Sequence, residues 1–316
     1  MVRQSKLPKR LQPMLATLVD APFDSRDWVF ETKWDGFRVV TVIEKRRVTL
    51  YSRNGLIVSD RYMPVAKALE KLKQDAVIDG ELVAFDARGV SRFQLLQNAL
   101  RATADLRYCV FDIMFLAGQD LRGLPLVDRK ERLRGILPKD RLLSYSEHRP
   151  EHGKRLFKQA QQRGLEGIVA KRAGSRYLSG ARSKDWLKIK TGKRQEAVIV
   201  GFTAPRRSRA YFGALVLAVR DEARWRYVGH VGTGFTHAML EAIHAKLAPL
   251  RTRASPFGVR VKDEAATSWV KPSLVAEVKF AEWTTAGEMR HPSFLGLRED
   301  KKPDDVVMEN EADVHL

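Results

Sequence analysis

A chain of 316 residues is long enough for two domains with real cores, and 44% hydrophobic with 30% charged residues is the composition of a soluble globular protein. Its 57 Lys and Arg against 38 Asp and Glu give a formal +19, which favours a polyanionic partner, nucleic acid before membrane. A single cysteine, Cys109, excludes an internal disulfide or Cys-rich zinc site; with no apolar run of the roughly 18 residues a spanning helix needs and no signal-peptide pattern after the basic start, a cytoplasmic, nucleoid-associated protein that meets no membrane is expected.

Residues 1–27 read as an irregular lead packed along a first sheet. Trp28-Val29-Phe30 and Val39-Val40-Thr41-Val42-Ile43 read as strands, because β-branched and aromatic residues dominate them. Between them, Glu31-Thr32-Lys33-Trp34-Asp35-Gly36-Phe37-Arg38 carries a lysine into a partly dry place. Burial lowers a lysine's pKa from about 10.4, and the neutral amine is a nucleophile. Val48-Thr49-Leu50-Tyr51 closes a hairpin-like unit and runs into an Asn54-Gly55 turn. Met63, Ala66, Leu69 and Leu72 at helical spacing predict a helix over 61–73. A strand over 76–85, a helix over 93–100 and a buried strand over 107–116 with a lone Asp112 follow. Helices are predicted over 125–137 and 151–163, the second ended by Gly164 as a C′ glycine. Short strands at 167–172 and 186–190 complete this part.

At residues 191–195 the texture changes. Strands at 196–202, 211–220, 224–231 and 275–283 with one helix at 236–248 point to a small β-barrel, the OB-fold leading. Domains over 1–193 and 194–316 are expected, the second ending in a frayed acidic tail over 303–316.

Several charges sit inside apolar strands, where an unpaired charge costs several kcal/mol. They are Lys33, Glu81, Glu166 at a strand mouth, and Lys188 and Lys190, which period-2 alternation puts on one strand face. A solvated edge strand is the plainer reading of the last pair. A nucleophilic lysine with strand-borne carboxylates and further lysines suits attack on a nucleotide phosphate, since carboxylates can hold Mg²⁺ and lysines neutralise phosphate charge. Arg206-Arg207-Ser208-Arg209 beside Tyr211-Phe212 suits a sequence-independent clamp on a duplex backbone through Arg206, Arg207 and Arg209, with a solvated loop as the rival. The scattered histidines lack metal-ligand spacing.

In order and local sequence these pieces resemble the covalent nucleotidyltransferase superfamily of ATP-dependent DNA ligases, RNA ligases and capping enzymes. Lys33-Trp34-Asp35-Gly36 resembles its nucleophile motif, Ser52-Arg53-Asn54-Gly55 and Asp79-Gly80-Glu81-Leu82 the next two, and Phe111-Asp112 the strand whose aromatic stacks on adenine. Glu166-Gly167-Ile168-Val169-Ala170-Lys171, Trp186-Leu187-Lys188-Ile189-Lys190 and Arg298-Glu299-Asp300-Lys301 resemble the remaining ones. Gln12-Pro13-Met14-Leu15-Ala16, Gln195-Glu196-Ala197-Val198-Ile199-Val200-Gly201 and Arg290-His291-Pro292 are most similar to the ligase module of bacterial DNA ligase D and its stand-alone relatives. The larger relatives carry polymerase or nuclease modules, for which these residues leave no room.

The resemblance implies an α+β fold: an ATP-grasp-like nucleotidyltransferase domain of antiparallel sheets and helices, then a small β-barrel OB-fold domain. It implies an ATP-dependent DNA ligase, expected as a monomer, acting on nicks or breaks in duplex DNA, with Mg²⁺ (or Mn²⁺) as cofactor. Lys33 would attack the α-phosphate of ATP. Glu31 and the backbone at Thr32 would meet the adenine edge, with Phe111 stacked on the ring. Arg38 and Arg53 would hold ribose and phosphate oxygens, Arg182 would make another nucleotide contact, Glu81 would hold the ribose hydroxyls or a metal, and Glu166 the metal. Lys188 and Lys190 would neutralise the α-phosphate and lower the Lys33 pKa, while Arg298 and Asp300 would reach pyrophosphate on domain closure. Phe111 as core packing, Arg182 on DNA phosphate and the 298–301 run as a solvated surface are the competing readings. An RNA ligase or guanylyltransferase on the same scaffold, or a non-catalytic DNA-binding relative, are the alternatives in function. NAD as donor is disfavoured, because ligases that use it carry a Cys-rich zinc module. End joining beside Ku or other end-joining proteins is an implied setting; the sequence names no recruiting partner.

Overall fold

The computed structural model describes residues 7–8, 12–98, 105–205 and 210–309. The chain divides into two compact units, with the change between Thr191 and Gly192. The first runs β1 (Leu15–Leu18), β2 (Ser25–Lys33), β3 (Phe37–Glu44), β4 (Arg47–Ser52), α1 (Met63–Leu69), β5 (Ala76–Phe85), α2 (Phe93–Asn98), β6 (Asp105–Leu116), β7 (Gln119–Asp120), α3 (Leu126–Ile136), β8 (Leu143–Tyr145), β9 (His148–Glu151), α4 (Gly153–Arg163), β10 (Gly167–Arg172) and β11 (Arg182–Lys190). They form two sheets. One has the order β1-β11-β10-β2-β9; the other has β4-β3-β5-β6-β7, with β8 on β6.

Period-2 alternation decides what each sheet face does. On the first sheet, Trp28, Phe30, Ile168, Ala170, Leu187 and Ile189 point away from the second and pack with Leu156, Phe157 and Ala160 of α4. The intervening residues face the second sheet, where Val29 and Trp186 join Val40, Val42, Val77, Phe111 and Phe115 in an inter-sheet core. The far face of the second sheet packs Val39, Ile43, Ile78 and Tyr108 against α1 and α2. Helix α4 ends as expected at Gly164, whose φ of 66° is left-handed backbone that glycine adopts without Cβ strain.

The second unit runs β12 (Lys193–Thr203), β13 (Leu215–Asp221), β14 (Arg224–Val231), α5 (His237–Leu247), β15 (Arg251–Thr252), β16 (Thr267–Phe280) and β17 (Ser293–Leu297). Its antiparallel sheet has the order β14-β13-β12-β16-β15, with β17 on β16. Thr236 caps α5 by accepting a hydrogen bond from the Met239 N–H. Among the described residues no helix is long and apolar enough to cross a membrane.

Several sequence expectations change here. The irregular lead contains a strand, β1, which pairs in parallel with β11. The helix expected over 61–73 shortens to α1, whose first turn holds Pro64. Strand β13 starts at Leu215 and not near 211, because Tyr211 has a φ of 71°, which no strand residue adopts. The tail is not frayed where it is described. Val306 is buried, the Arg220 N–H donates to its carbonyl, and the Gln195 side chain bonds both Val307 O and the Glu309 N–H. The end of the tail lies outside the described residues.

Two glycines test this packing. A Cβ on Gly80 in β5 would lie 2.6 Å from the Tyr108 ring and 2.7 Å from the Cys109 carbonyl oxygen. Gly80→Ala is expected to lower the unfolding free energy by about 1–3 kcal/mol, the usual cost of overpacking. A Cβ on Gly135 in α3 meets nothing within 4 Å, so Gly135→Ala should raise it by roughly 0.5–1 kcal/mol through helix propensity. Denaturant titration of both variants checks the pair.

Candidate active site

Three neighbouring strands of the first sheet mount the charged residues in rows. Cross-strand pairing aligns Lys33 with Gly167 and Lys190, then Glu31 with Val169 and Lys188, then Val29 with Lys171 and Trp186. All share the face toward the second sheet. The rows therefore run from Val29 and Trp186, which flank Lys171, to a charged end at Lys33 and Lys190. Thr32 falls between Glu31 and Lys33 on the opposite face, so its side chain is not on this surface and only its backbone is. From the second sheet, Arg38 on β3, Asp79 and Glu81 on β5 and Phe111 on β6 complete the group. The two sheets meet here with charge on both.

Lys33 Nζ donates to Glu166 Oε1 at 2.5 Å, with the lysine side chain 20% exposed and the carboxylate 5%. Burial by itself would lower the Lys33 pKa. The Glu166 carboxylate, with Glu81 and Asp35 beside it, outweighs burial and raises it. This corrects the expectation that burial and Lys188 and Lys190 hold Lys33 below the usual range: Lys33 is an ion-paired ammonium. Asp35 gains a role by the same reasoning. It is buried, its N–H is held by Ser91 Oγ at 3.1 Å, and its carboxylate supports the positive charge on Lys33.

Glu31 is the centre of a second cluster. Its Oε1 accepts from Lys130 Nζ at 2.9 Å and Lys171 Nζ at 3.1 Å, and its Oε2 accepts from Ser146 Oγ at 3.2 Å. Trp34 Nε1 donates in turn to Ser146 Oγ at 3.0 Å. Burial alone would raise the Glu31 pKa, but the two ammonium groups hold it below its ordinary value. Lys171 Nζ also stands 4.3 Å from the ring centroids of both Phe111 and Trp186, a cation–π arrangement. Burial, helped by the like charge of Lys130, outweighs Glu31 and pushes the Lys171 pKa down to about 8.

The remaining sequence candidates are engaged as follows. Arg38 gives a bidentate pair to the fully buried Asp79, at 2.6 and 2.7 Å, and its guanidinium carbon lies 4.5 Å from the Phe111 centroid. Tyr177 donates to the same Asp79. Phe111 is thus packed among Arg38, Lys171 and Trp186. Arg182 is exposed and donates to the Ala16 carbonyl, clasping β1 to β11. Arg53 lies in the turn after β4. In the second unit Arg298 is bidentate to Asp300 at 2.8 and 2.7 Å and also meets Glu277, while Lys301 pairs with Glu196. Both residues expected at pyrophosphate are therefore held in one ion cluster, Asp300 buried and Arg298 partly exposed. Arg206, Arg207 and Arg209 lie outside the described residues.

Lys130 and Ser146 belong to no motif. A signal for Lys130 existed: Leu126, Arg129, Lys130 and Leu133 occupy the buried face of α3 at i, i+3, i+4 and i+7, so two cations stand where apolar residues belong. For a metal, no group of three or more His, Cys, Asp or Glu side chains is gathered among the described residues. Mg²⁺ bound with substrate phosphates needs only one or two carboxylates, and Glu81 on β5 and Glu166 just before β10, both of which act on Lys33, fit that donor set.

The family profile described as "ATP dependent DNA ligase domain" matches residues 13–190, more than half of the chain. The chain belongs to the ATP-dependent DNA ligase family. A second profile, "ATP dependent DNA ligase C terminal region", matches residues 208–301. The multifunctional non-homologous end joining protein LigD of Pseudomonas aeruginosa is 39% identical over 98% of this chain and 38% of its own length. LigD of Mycobacterium tuberculosis is 38% identical over 95% of this chain and 40% of its own. The chain thus spans about two fifths of these relatives. Among solved structures, a mycobacterial DNA ligase D complexed with ATP and MES is 36% identical, covering 95% of this chain and 98% of that one at a TM-score of 0.71. The ligase domain from M. tuberculosis LigD matches over the same shares at 0.54. The fold is accordingly α+β, a ligase nucleotidyltransferase domain followed by an OB-fold-type domain.

The depressed Lys171 carries a pH signature. Its folded pKa lies below the unfolded value, so the unfolded chain binds that proton more tightly and folded stability rises with pH between the two. From about pH 7.5 to about pH 10 the stability of the protein relative to its Lys171→Met variant should increase, by up to about 3 kcal/mol. Denaturant titrations at several pH values measure it; a difference that falls with pH would show that the ammonium is not destabilised.

Proposed function

We propose that this ligase seals 5′-phosphate/3′-hydroxyl breaks in duplex DNA through a lysyl-AMP intermediate on Lys33, in nick repair or end joining. The observation that carries the reading is the placement of Lys33, partly exposed and paired with Glu166, at the charged end of rows that also hold Lys188 and Lys190. The +19 formal charge and the names of the LigD relatives support duplex DNA as the partner and end joining as the setting. Recruitment by Ku or another end-joining protein belongs to that setting.

Three steps follow. Lys33 Nζ, its ammonium proton released to solvent, forms a bond to the α-phosphorus of ATP while the α–β bridging bond breaks and pyrophosphate leaves with its electron pair. The phosphoryl oxygen of a 5′-phosphate then displaces the lysine, giving an AMP-capped end. A 3′-hydroxyl attacks that end, loses its proton and expels AMP.

Glu166 Oε1 holds the hydrogen bond to the ammonium proton, so the same contact that masks Lys33 fixes its nitrogen in place. Lys188 and Lys190 supply fixed positive charge on that face for the phosphate oxygens. Gly167 puts no side chain between Lys33 and Lys190; a Cβ there would lie 2.1 Å from the Ile189 carbonyl oxygen. Bound Mg²⁺, or Mn²⁺, supplies further charge neutralisation on the phosphates, and Glu166 and Glu81 would hold it.

Labelled ATP and Mg²⁺ should transfer label to the protein, none to Lys33→Ala, and at a rate lowered about 10²-fold or more to Glu166→Gln. Equal labelling of Lys33→Ala would exclude the reading, and labelling by GTP or sealing of RNA alone would move it to a capping enzyme or RNA ligase. Nick sealing should also fall by orders of magnitude between ~50 and ~200 mM salt, as binding through phosphate contacts does.

A further inference from the structure

We propose that Lys130, on α3 and outside every motif, sets the nucleobase specificity of the adenylation step by holding Glu31 as an ionised carboxylate that can only accept hydrogen bonds. The inference rests on the reading that Glu31 meets the base edge. Lys130 has no exposed surface, and its ammonium has three acceptors: Glu31 Oε1 at 2.9 Å, the Ser146 carbonyl at 3.0 Å and the Phe111 carbonyl at 3.2 Å. An ammonium carries three donors, so this one is saturated and its orientation is fixed. One charge thereby ties α3 to the carboxylate on β2, to the backbone of β6 at Phe111 and to the segment that presents Ser146.

Its neighbour on the helix makes the assignment sharper. Arg129 is equally buried, but Asp112 neutralises it through a bidentate pair at 2.8 Å on both arms. Among the described residues Lys130 has no such private carboxylate, and it is aimed at Glu31, which Lys171 also contacts. Two ammonium groups thus face one carboxylate. The excess charge of Lys171 rests against the faces of Phe111 and Trp186. A protonated Glu31 would leave both lysines in a dry region without their counter-charge, so this cluster keeps Glu31 ionised.

An ionised carboxylate offers about four acceptor sites and no donor. Two ammonium groups and the Ser146 hydroxyl occupy three of them. A site that remains accepts from the amino group at C6 of adenine and repels the carbonyl oxygen at C6 of guanine. The ligand class selected is a 6-aminopurine nucleoside triphosphate, and Lys130 acts on it only through Glu31, as a positioning residue.

The test is the ratio of kcat/KM for lysyl-nucleotide formation with ATP against GTP. Removing a charge-assisted partner should cost about 10- to 100-fold in discrimination, so Lys130→Met should shrink the ATP:GTP ratio by that factor, while Lys130→Arg, which keeps the charge, should retain most of it. Lys130→Gln, which keeps donors for the two carbonyls and removes the charge, replaces the methionine variant if that one does not fold. Glu31→Gln separates the two layers of the argument. If it leaves the ratio unchanged, Glu31 does not meet the base and the underlying reading fails. If it collapses the ratio while Lys130→Met and Lys130→Gln lower both substrates in parallel, Lys130 is only structural and the present inference is overturned.

Discussion

A carboxylate buried between two ammonium groups is the constraint on which the site depends. Glu31 sits on the same face of β2 as Lys33, two residues away, and is gripped by Lys130 from α3 and Lys171 from β10. Removing one partner of such a buried cluster leaves an uncompensated charge, typically a loss of 3–5 kcal/mol. The cluster therefore fixes β2 against α3, β10 and the backbone of Phe111. Lys33 inherits that fixed position.

Proton affinity alone would not select the proposed nucleophile. Lys171, with its pKa pushed down to about 8, is the more easily deprotonated lysine, whereas Glu166 holds Lys33 protonated. Access reverses the order. Lys171 is 3% exposed and pinned between Glu31 and two aromatic rings, while Lys33 is 20% exposed at the charged end of the rows. A depressed pKa here marks a structural ammonium under burial, and the amine proposed to react is the one a neighbouring carboxylate keeps masked.

How much of this was legible in the sequence follows from the reach of each signal. Strand alternation exposes charges that interrupt apolar runs, so Lys33, Glu81, Glu166, Lys188 and Lys190 stand out without coordinates. What alternation cannot show is the partner across the sheet-to-helix gap: Lys130 on α3 is distant in sequence from Glu31, and only its place on the buried helix face hints at it. The sign of the Lys33 shift was lost for the same reason, because it depends on Glu166 arriving from the residue before β10. From the sequence, Arg298 and Asp300 are expected at pyrophosphate, with a solvated run as the rival; their mutual pairing with Glu277 nearby is a tertiary fact. Tail residues such as Val306 read as frayed because their partners, Gln195 and Arg220, lie about a hundred residues earlier.

The central claim is that Lys33, and not the more acidic Lys171, takes the nucleotide. Tandem mass spectrometry of proteolytic peptides after brief incubation with ATP and Mg²⁺ tests it most directly. The account predicts one adenylate, on Lys33. An adenylate on Lys171, Lys188 or Lys190, or none on any lysine, would contradict it.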